Sequence, residues 1–125
     1  MTILDNIVND KRLEVDLRKS IIPVKQLEAS VLFDRNTISL AANLRQSDSG
    51  IIAEHKRRSP SKSVINQNLN VFDVAKGYEE AGVCGMSVLT DSKYFGGSLD
   101  DLLVARASCS LPLLRKEFII DTYQI

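Results

Sequence analysis

Three short apolar runs lie in the second part of the chain, and a longer polar stretch separates each run from the next. The runs are Ile51–Ala53, Met86–Leu89 and Leu111–Leu114. Short continuous apolar runs are typical of strands that are buried on both faces, as in a parallel sheet. They recur at intervals of about thirty residues, which is the usual length of one strand followed by one helix.

The stretches between these runs have the periodicity of amphipathic helices. One helix is predicted from Val71 to Ala81, because Asn70 can cap its start and Gly82 can end it. A second helix begins at Ser98 and has two acids in its first turn, where they suit the helix dipole. Its inner face is predicted to contain Leu99, Leu102, Leu103 and Ala107. The alternation of strands and helices predicts an α/β fold with parallel strands.

The first 49 residues predict helices and no strand. Residues 3–19 are typical of an amphipathic helix, with an inner face of Leu4, Ile7, Val8 and Val15. A shorter helix is predicted over residues 36–45, capped by Asn36 or Thr37, with an inner face of Ile38, Ala41 and Leu44. We therefore predict a helical extension over residues 1–49, and three strands with two helices over residues 50–125. Asp121 can cap one more helix at the end of the chain.

Composition narrows the class of protein. The 125 residues are 44% hydrophobic and 26% charged, as in ordinary globular domains, which excludes disordered and collagen-like chains. No apolar run approaches the roughly 18 residues of a membrane span, and the first ten residues do not resemble a targeting peptide. Cys84 and Cys109 are too few for a disulfide scaffold and lack metal-ligand spacing. We expect a cytoplasmic protein with no membrane partner, whose cysteines are small core side chains.

Charge is balanced overall but concentrated locally. Sixteen bases match sixteen acids, yet residues 51–70 contain four bases and one acid. This concentration predicts a local anion site. An alternative is a nucleic-acid module that uses Arg57, Arg58 and Lys62. The neutral total charge and the lack of an aromatic stacking surface argue against nucleic acid as a partner.

Polar side chains follow each predicted strand, at the edge where parallel α/β folds gather their function. They are Glu54 and Lys56, then Thr90 and Asp91, then Lys116 and Glu117. Glu54 and Lys56 point the same way if the strand extends that far, whereas His55 faces the opposite side and packs there. Two lysines beside one carboxylate can form an acid/base group, and a simple ion pair with a solvated Lys116 is the alternative.

The stretch Ile51–Ile65, with the sequence IIAEHKRRSPSKSVI, closely resembles the first-strand motif of the indole-3-glycerol phosphate synthase family. Three further stretches are similar to its first barrel helix, second strand with its loop, and third strand: residues 78–82, 87–98 and 111–121. Residues 3–19 resemble the extra N-terminal helix of that family. The chain departs from the family pattern at Ser63, where glycine is common, and at His55, where an aliphatic residue is usual.

The resemblance implies a partial (β/α)8 barrel and a carboxy-lyase of tryptophan biosynthesis. The family converts 1-(2-carboxyphenylamino)-1-deoxyribulose 5-phosphate to indole-3-glycerol phosphate, with loss of carbon dioxide and water, and uses neither a metal nor an organic cofactor. By position, Lys116 matches the general-acid lysine, Lys56 matches a lysine that holds anionic groups of the substrate, and Glu54 matches the glutamate that orients both lysines.

Four more positions match residues that bind the substrate in that family. Ser59 and Ser61 belong to the loop after the first strand, and Phe95 and Phe118 match aromatic side chains along the anthranilate ring. A complete barrel needs about 250 residues, so we expect these 125 residues alone to be inactive. A non-catalytic partial barrel that binds phosphate or self-associates through an open edge is an alternative. Phosphoribosylanthranilate isomerase is a second, less favoured alternative.

Overall fold

The computed structural model of the protein describes all 125 residues, which form two compact units. One unit comprises residues 1–36 with residues 118–125, and the other comprises residues 37–117. The boundary between residues 49 and 50 stays a prediction. None of the helices combines the length and the apolar character that a membrane span requires.

The unit of residues 1–36 and 118–125 is helical. Helix α1 spans Ile3–Ile21, α2 spans Val24–Glu28, and a 3-10 helix spans Thr122–Gln124. The predicted first helix is confirmed, with Ile7 and Val15 buried, but Leu4 is exposed and α2 was not predicted. Asp121 caps the 3-10 helix as expected. Three bonds join this helix to α1 and its C-cap. Tyr123 donates to the carbonyls of Ile22 at 2.6 Å and Arg18 at 3.3 Å, and Lys19 pairs with Asp121 at 3.0 Å.

The unit of residues 37–117 is an open three-stranded parallel sheet with helices. Its elements in chain order are α3 (Leu40–Gln46), β1 (Ile52–His55), α4 (Val71–Glu80), β2 (Gly85–Leu89), α5 (Leu99–Ser108) and β3 (Leu113–Lys116). The strand order is β1-β2-β3, and both pairings are parallel. Every residue of the central strand β2 is buried. The α/β fold with parallel strands is therefore confirmed.

The two faces of the sheet have different chemistry, because alternate side chains point to opposite faces. Helices α4 and α5 pack on the face that carries Met86 and Val88, both fully buried. His55 is the register partner of Val88 and is buried on this face, as expected. Burial, reinforced by the charge of Arg57, lowers the pKa of His55, although Asp101 opposes this. The opposite face carries Glu54 and Ser87.

Helix α3 covers the beginning of that second face. A Cβ atom on Gly85 would lie 2.4 Å from Leu40 Cδ1 and 3.1 Å from the Pro112 carbonyl oxygen, so glycine permits this close approach. Asn43 also donates to the Cys84 carbonyl at 3.2 Å. The predicted start and inner face of this helix are wrong. It is capped by Ser39 rather than Asn36 or Thr37, and it meets the sheet through Leu40 and Asn43 while Ala41 is exposed.

Two other predictions differ from the structure. The third strand was expected over residues 111–114 and lies at Leu113–Lys116. Pro112 has no N–H to donate to the neighbouring strand, although its carbonyl accepts from Met86 at 3.0 Å. The residues that pair with β2 therefore begin at Leu113, after the proline. On α5 the buried residues are Ala105 and Ser108, whereas Leu103 is half exposed. The predicted inner residue Leu102 does pack against the core, so the predicted inner face is confirmed at Leu102 and wrong at Leu103 and Ala107, which are exposed.

Candidate active site

The carboxylate of Glu54 lies between two lysines on the face opposite to α4 and α5. Lys116 Nζ donates to Glu54 Oε2 at 2.9 Å, and Lys56 Nζ lies 3.6 Å from Oε1. Ser87 Oγ also donates to Oε2, at 3.1 Å. The lysines come from strand ends that are far apart in the sequence, and the carboxylate joins them.

Strand register explains how these residues meet. Glu54 is the register partner of Ser87, and Lys116 is the register partner of Leu89. Register partners share a face, and Ser87 and Leu89 are two residues apart, so all four side chains point to one face. Lys56 follows Glu54 by two residues, so its side chain points to the same face as these four. The predicted orientation of Glu54 and Lys56 thus requires that β1 continue beyond Ala53, which it does.

The site carries one more positive than negative charge. The side chains of Glu54, Lys56 and Lys116 are 28%, 33% and 53% exposed, respectively. Burial alone would raise the pKa of Glu54. The hydrogen bonds from Lys116 and Ser87, together with the lysine charges, outweigh it and hold this pKa below its ordinary value. The carboxylate is therefore ionised at neutral pH, and the surplus charge suits an anionic ligand.

Ser87 was not among the predicted site residues. The sequence offered one signal, because it is the single polar residue in the strand Gly85–Leu89. A buried hydroxyl requires a partner. Its identification as a neighbour of Glu54 needed the register, which the sequence does not show.

Ser59 and Ser61 lie in a tight turn of the loop after β1. Backbone bonds join Ser59 and Lys62 in both directions, at 2.8 and 3.2 Å. The two serine hydroxyls are 3.2 Å apart, and Ser59 Oγ accepts from the Lys62 N–H. Their bonds thus run within the turn rather than to the Glu54 carboxylate.

A buried aspartate organises the loop that carries Phe95. Asp91 is 1% exposed, and its Oδ2 accepts from the Tyr94 N–H at 2.8 Å and from the Phe95 N–H at 3.3 Å. The Phe95 side chain is partly buried. Phe118 belongs to the helical unit, where its carbonyl accepts from Gln124 Nε2 at 2.9 Å.

Thr90 and Glu117 also follow their strands, but they bond to each other. Thr90 Oγ1 donates to Glu117 at 2.9 Å and accepts from Arg115 Nε at 3.0 Å. By alternation, Arg115 and Glu117 point to the face opposite to Lys116. The glutamate beside Lys116 in the sequence therefore does not join the site.

The two arginines after Lys56 join the loop that follows β1 to the loop that follows β2. Arg57 contacts both carboxylate oxygens of Asp101, and its Nη1 donates to the Gly96 carbonyl at 3.2 Å. Arg58 Nη2 donates to the carbonyls of Ser92 and Lys93, at 2.7 and 3.0 Å. Both guanidinium groups therefore make bonds within the chain and connect the loops beside the site.

The Arg57–Asp101 pair leads to a stability prediction. The bonds with Asp101 raise the pKa of Arg57 despite its partial burial. We expect Arg57→Ala to lower the free energy of unfolding by about 2 kcal/mol, because Asp101 is left partly buried without its partner. A double-mutant cycle with Asp101→Ala, followed by urea denaturation, measures the coupling. The exposed pair Lys19–Asp121 is the matched control, with weaker coupling expected. Equal coupling in both pairs would contradict this account.

Metal ligation has no candidate in the structure. Across residues 1–125, no group of three or more His, Cys, Asp or Glu side chains is arranged to hold a metal ion. The predicted absence of a cofactor stays a prediction.

Comparison with known proteins identifies the family. A sequence model of indole-3-glycerol phosphate synthase matches residues 4–125. An indole-3-glycerol phosphate synthase from Bacteroides thetaiotaomicron is 46% identical over 123 residues, covering 98% of this chain and 47% of the relative. One from Desulfosudis oleivorans is 45% identical over 127 residues, covering 98% and 48%. One from a Mycobacterium species is 38% identical over 124 residues, covering 99% and 46%.

The chain thus spans about half the length of these curated relatives. The family assignment and the three consecutive parallel strands together confirm the partial (β/α)8 barrel. The match covers both the strands that carry Glu54 and Lys116 and the N-terminal helices. The chain belongs to the indole-3-glycerol phosphate synthase family.

Proposed function

We propose that these residues form part of an active site for indole-3-glycerol phosphate synthesis. The substrate is 1-(2-carboxyphenylamino)-1-deoxyribulose 5-phosphate, whose ring carbon attacks the ribulose carbonyl before carbon dioxide and water are lost. The observation that carries the proposal is the Glu54 carboxylate between Lys56 and Lys116 at the ends of two strands. The family relationship supports it, since the match to the indole-3-glycerol phosphate synthase family covers residues 4–125 and so includes all three of these residues.

Lys116 is the proposed general acid. An ammonium group has three N–H donors, and one of them reaches Glu54 Oε2 at 2.9 Å. The others remain for the substrate carbonyl, whose oxygen gains negative charge as its carbon is attacked. A proton from Lys116 neutralises that charge. Glu54 orients the lysine for this transfer.

Lys56 is the proposed anion-binding partner. Its ammonium lies 3.6 Å from the other oxygen of Glu54. The substrate carries a carboxylate and a phosphate, and the single surplus positive charge of the site attracts such groups. A cation placed beside developing charge also stabilises the transition state.

The remaining predicted residues are proposed to bind the substrate. Phe95 offers an apolar surface to the anthranilate ring, and the bond from its N–H to Asp91 supports a fixed loop position. Phe118 stays a proposed substrate-binding residue. Ser59 and Ser61 offer hydroxyl groups from the turn after β1. A small phosphorylated molecule is thus the proposed partner, and the free cysteines favour the cytoplasm.

A chimera tests the function. Residues 1–125 replace the matched part of the Bacteroides thetaiotaomicron relative, and the fluorescence of the indole product reports turnover. We expect the chimera to form indole-3-glycerol phosphate, because these residues supply the acid and the anion-binding lysine. The intact relative is the positive control, and the relative without its matched part is the negative control. A chimera that unfolds cooperatively and shows no turnover would refute the proposal.

A further inference from the structure

Ser87 is a buried donor aimed at a catalytic carboxylate. It is 5% exposed, and its hydroxyl donates to Glu54 Oε2 at 3.1 Å. Ser87 has one register partner on each neighbouring strand. The partner on β3 is Leu114, which has no polar side-chain group, and the partner on β1 is Glu54, which has one.

The three groups that contact the carboxylate differ in rigidity. Lys56 and Lys116 reach it through flexible four-carbon stems and are partly exposed. Ser87 has a short side chain on β2, the central strand, in which every residue is buried. A rigid donor fixes the rotation of a carboxylate better than a flexible one.

The two oxygens of the Glu54 carboxylate contact different groups. Oε2 accepts from both Ser87 and Lys116, whereas Oε1 faces Lys56. A second donor on Oε2 restrains the rotation of the carboxylate plane and so keeps one oxygen towards each lysine. If the carboxylate rotated, the ammonium of Lys116 would lose its fixed position.

We propose that Ser87 is a positioning residue, which holds the Glu54 carboxylate so that each lysine meets its own oxygen. This inference rests on the proposed function. Ser87 is buried and its hydroxyl donates to the carboxylate, so it acts through Glu54 on the proton that Lys116 delivers. The Ser87 bond is also among the causes that keep the pKa of Glu54 low.

An NMR titration of the 125-residue chain tests the hydrogen bond without any need for turnover. The carboxyl ¹³C signal of Glu54 is followed against pH in the wild type and in Ser87→Ala. We expect the titration midpoint of Glu54 to move to higher pH in Ser87→Ala, because the ionised form loses a donor. Ser87→Thr, which keeps the hydroxyl, restores the midpoint. Ser87→Cys, which keeps the shape of the side chain but donates weakly, gives an intermediate value and serves if the alanine variant fails to fold.

Kinetics of the chimera test the positioning. We expect Ser87→Ala to lower kcat about tenfold with little change in KM, because a bond to a charged group is lost while anion binding remains. The acid limb of the kcat profile moves to higher pH with Glu54. Ser108→Ala is the matched control. Ser108 is also a buried serine, but its hydroxyl bonds to the Val104 carbonyl of its own helix.

The two readouts separate this inference from the proposed function. Absence of turnover in a folded wild-type chimera would refute the function, and the titration would still decide whether Ser87 holds Glu54. An unchanged midpoint in Ser87→Ala would overturn the inference, even with an active chimera. So would a kcat equal to that of the wild type, or a rise in KM alone.

Discussion

Lys116→Met in the chimera is expected to lower kcat by about 100- to 10,000-fold, the range usual for loss of a general acid. Methionine has a side chain of similar length but no N–H group, so it can neither donate a hydrogen bond nor transfer a proton. In the structure the ammonium donates to Glu54 at 2.9 Å and the Lys116 side chain is 53% exposed, so the group is both held and accessible to a ligand. Product fluorescence under saturating substrate measures the effect.

Two further variants separate proton transfer from charge. Lys116→Arg keeps the positive charge, but a guanidinium group does not release its proton in proteins. We expect this variant to retain most of the substrate affinity while its kcat stays low. Lys76→Met removes an exposed lysine from α4, on the helix side of the sheet, and is the control for charge loss. If Lys116→Met retained more than about a tenth of kcat, the role of general acid would be wrong, since that role predicts a larger loss.

The site could be predicted from the sequence only in part. Glu54 and Lys56 are two residues apart, so their common orientation follows from strand geometry alone. Lys116 is 62 residues from Glu54 along the chain, and nothing local shows that their side chains meet. Its place after the third predicted strand put Lys116 at the same edge of the sheet, and the resemblance then assigned its role. Ser87 escaped both approaches, because its importance lies in the register between β1 and β2.

The fold was predicted best where packing and pattern agree. Val71 and Ala75 of α4 are four residues apart, as the helical period requires of one face, and both are buried. On α5 the consecutive apolar residues Leu102–Ala105 face all sides of the helix, so the pattern could not distinguish the inner face, and Ala105 rather than Leu103 became buried. Leu111 and Pro112 are buried but lie outside β3. An apolar run thus indicates which residues are buried, but it does not by itself show which of them pair with a neighbouring strand.

The loop that carries Phe95 depends on a glycine that allows a close backbone approach. A Cβ atom on Gly97 would lie 1.9 Å from the Leu89 carbonyl oxygen and 2.6 Å from its carbon. The Gly97 N–H donates to the Asp91 carbonyl at 2.8 Å, and its own carbonyl accepts from Ser92 Oγ at 2.8 Å. Backbone conformation is not the cause, because the positive φ belongs to Gly96. The loop therefore lies directly on the end of β2.

Gly97→Ala is accordingly expected to lower the free energy of unfolding by about 3 kcal/mol, at the upper end of the usual cost of overpacking. The neighbouring atoms are backbone of the central strand and cannot move aside as a flexible side chain would. Gly77→Ala is the matched control. A Cβ atom there meets nothing within 4 Å in the middle of α4, so we expect a gain of about 0.5–1 kcal/mol. Urea denaturation of both variants measures these changes. Equal stability of Gly97→Ala and the wild type would show that the loop can leave the strand end, and the position of Phe95 would then not be fixed.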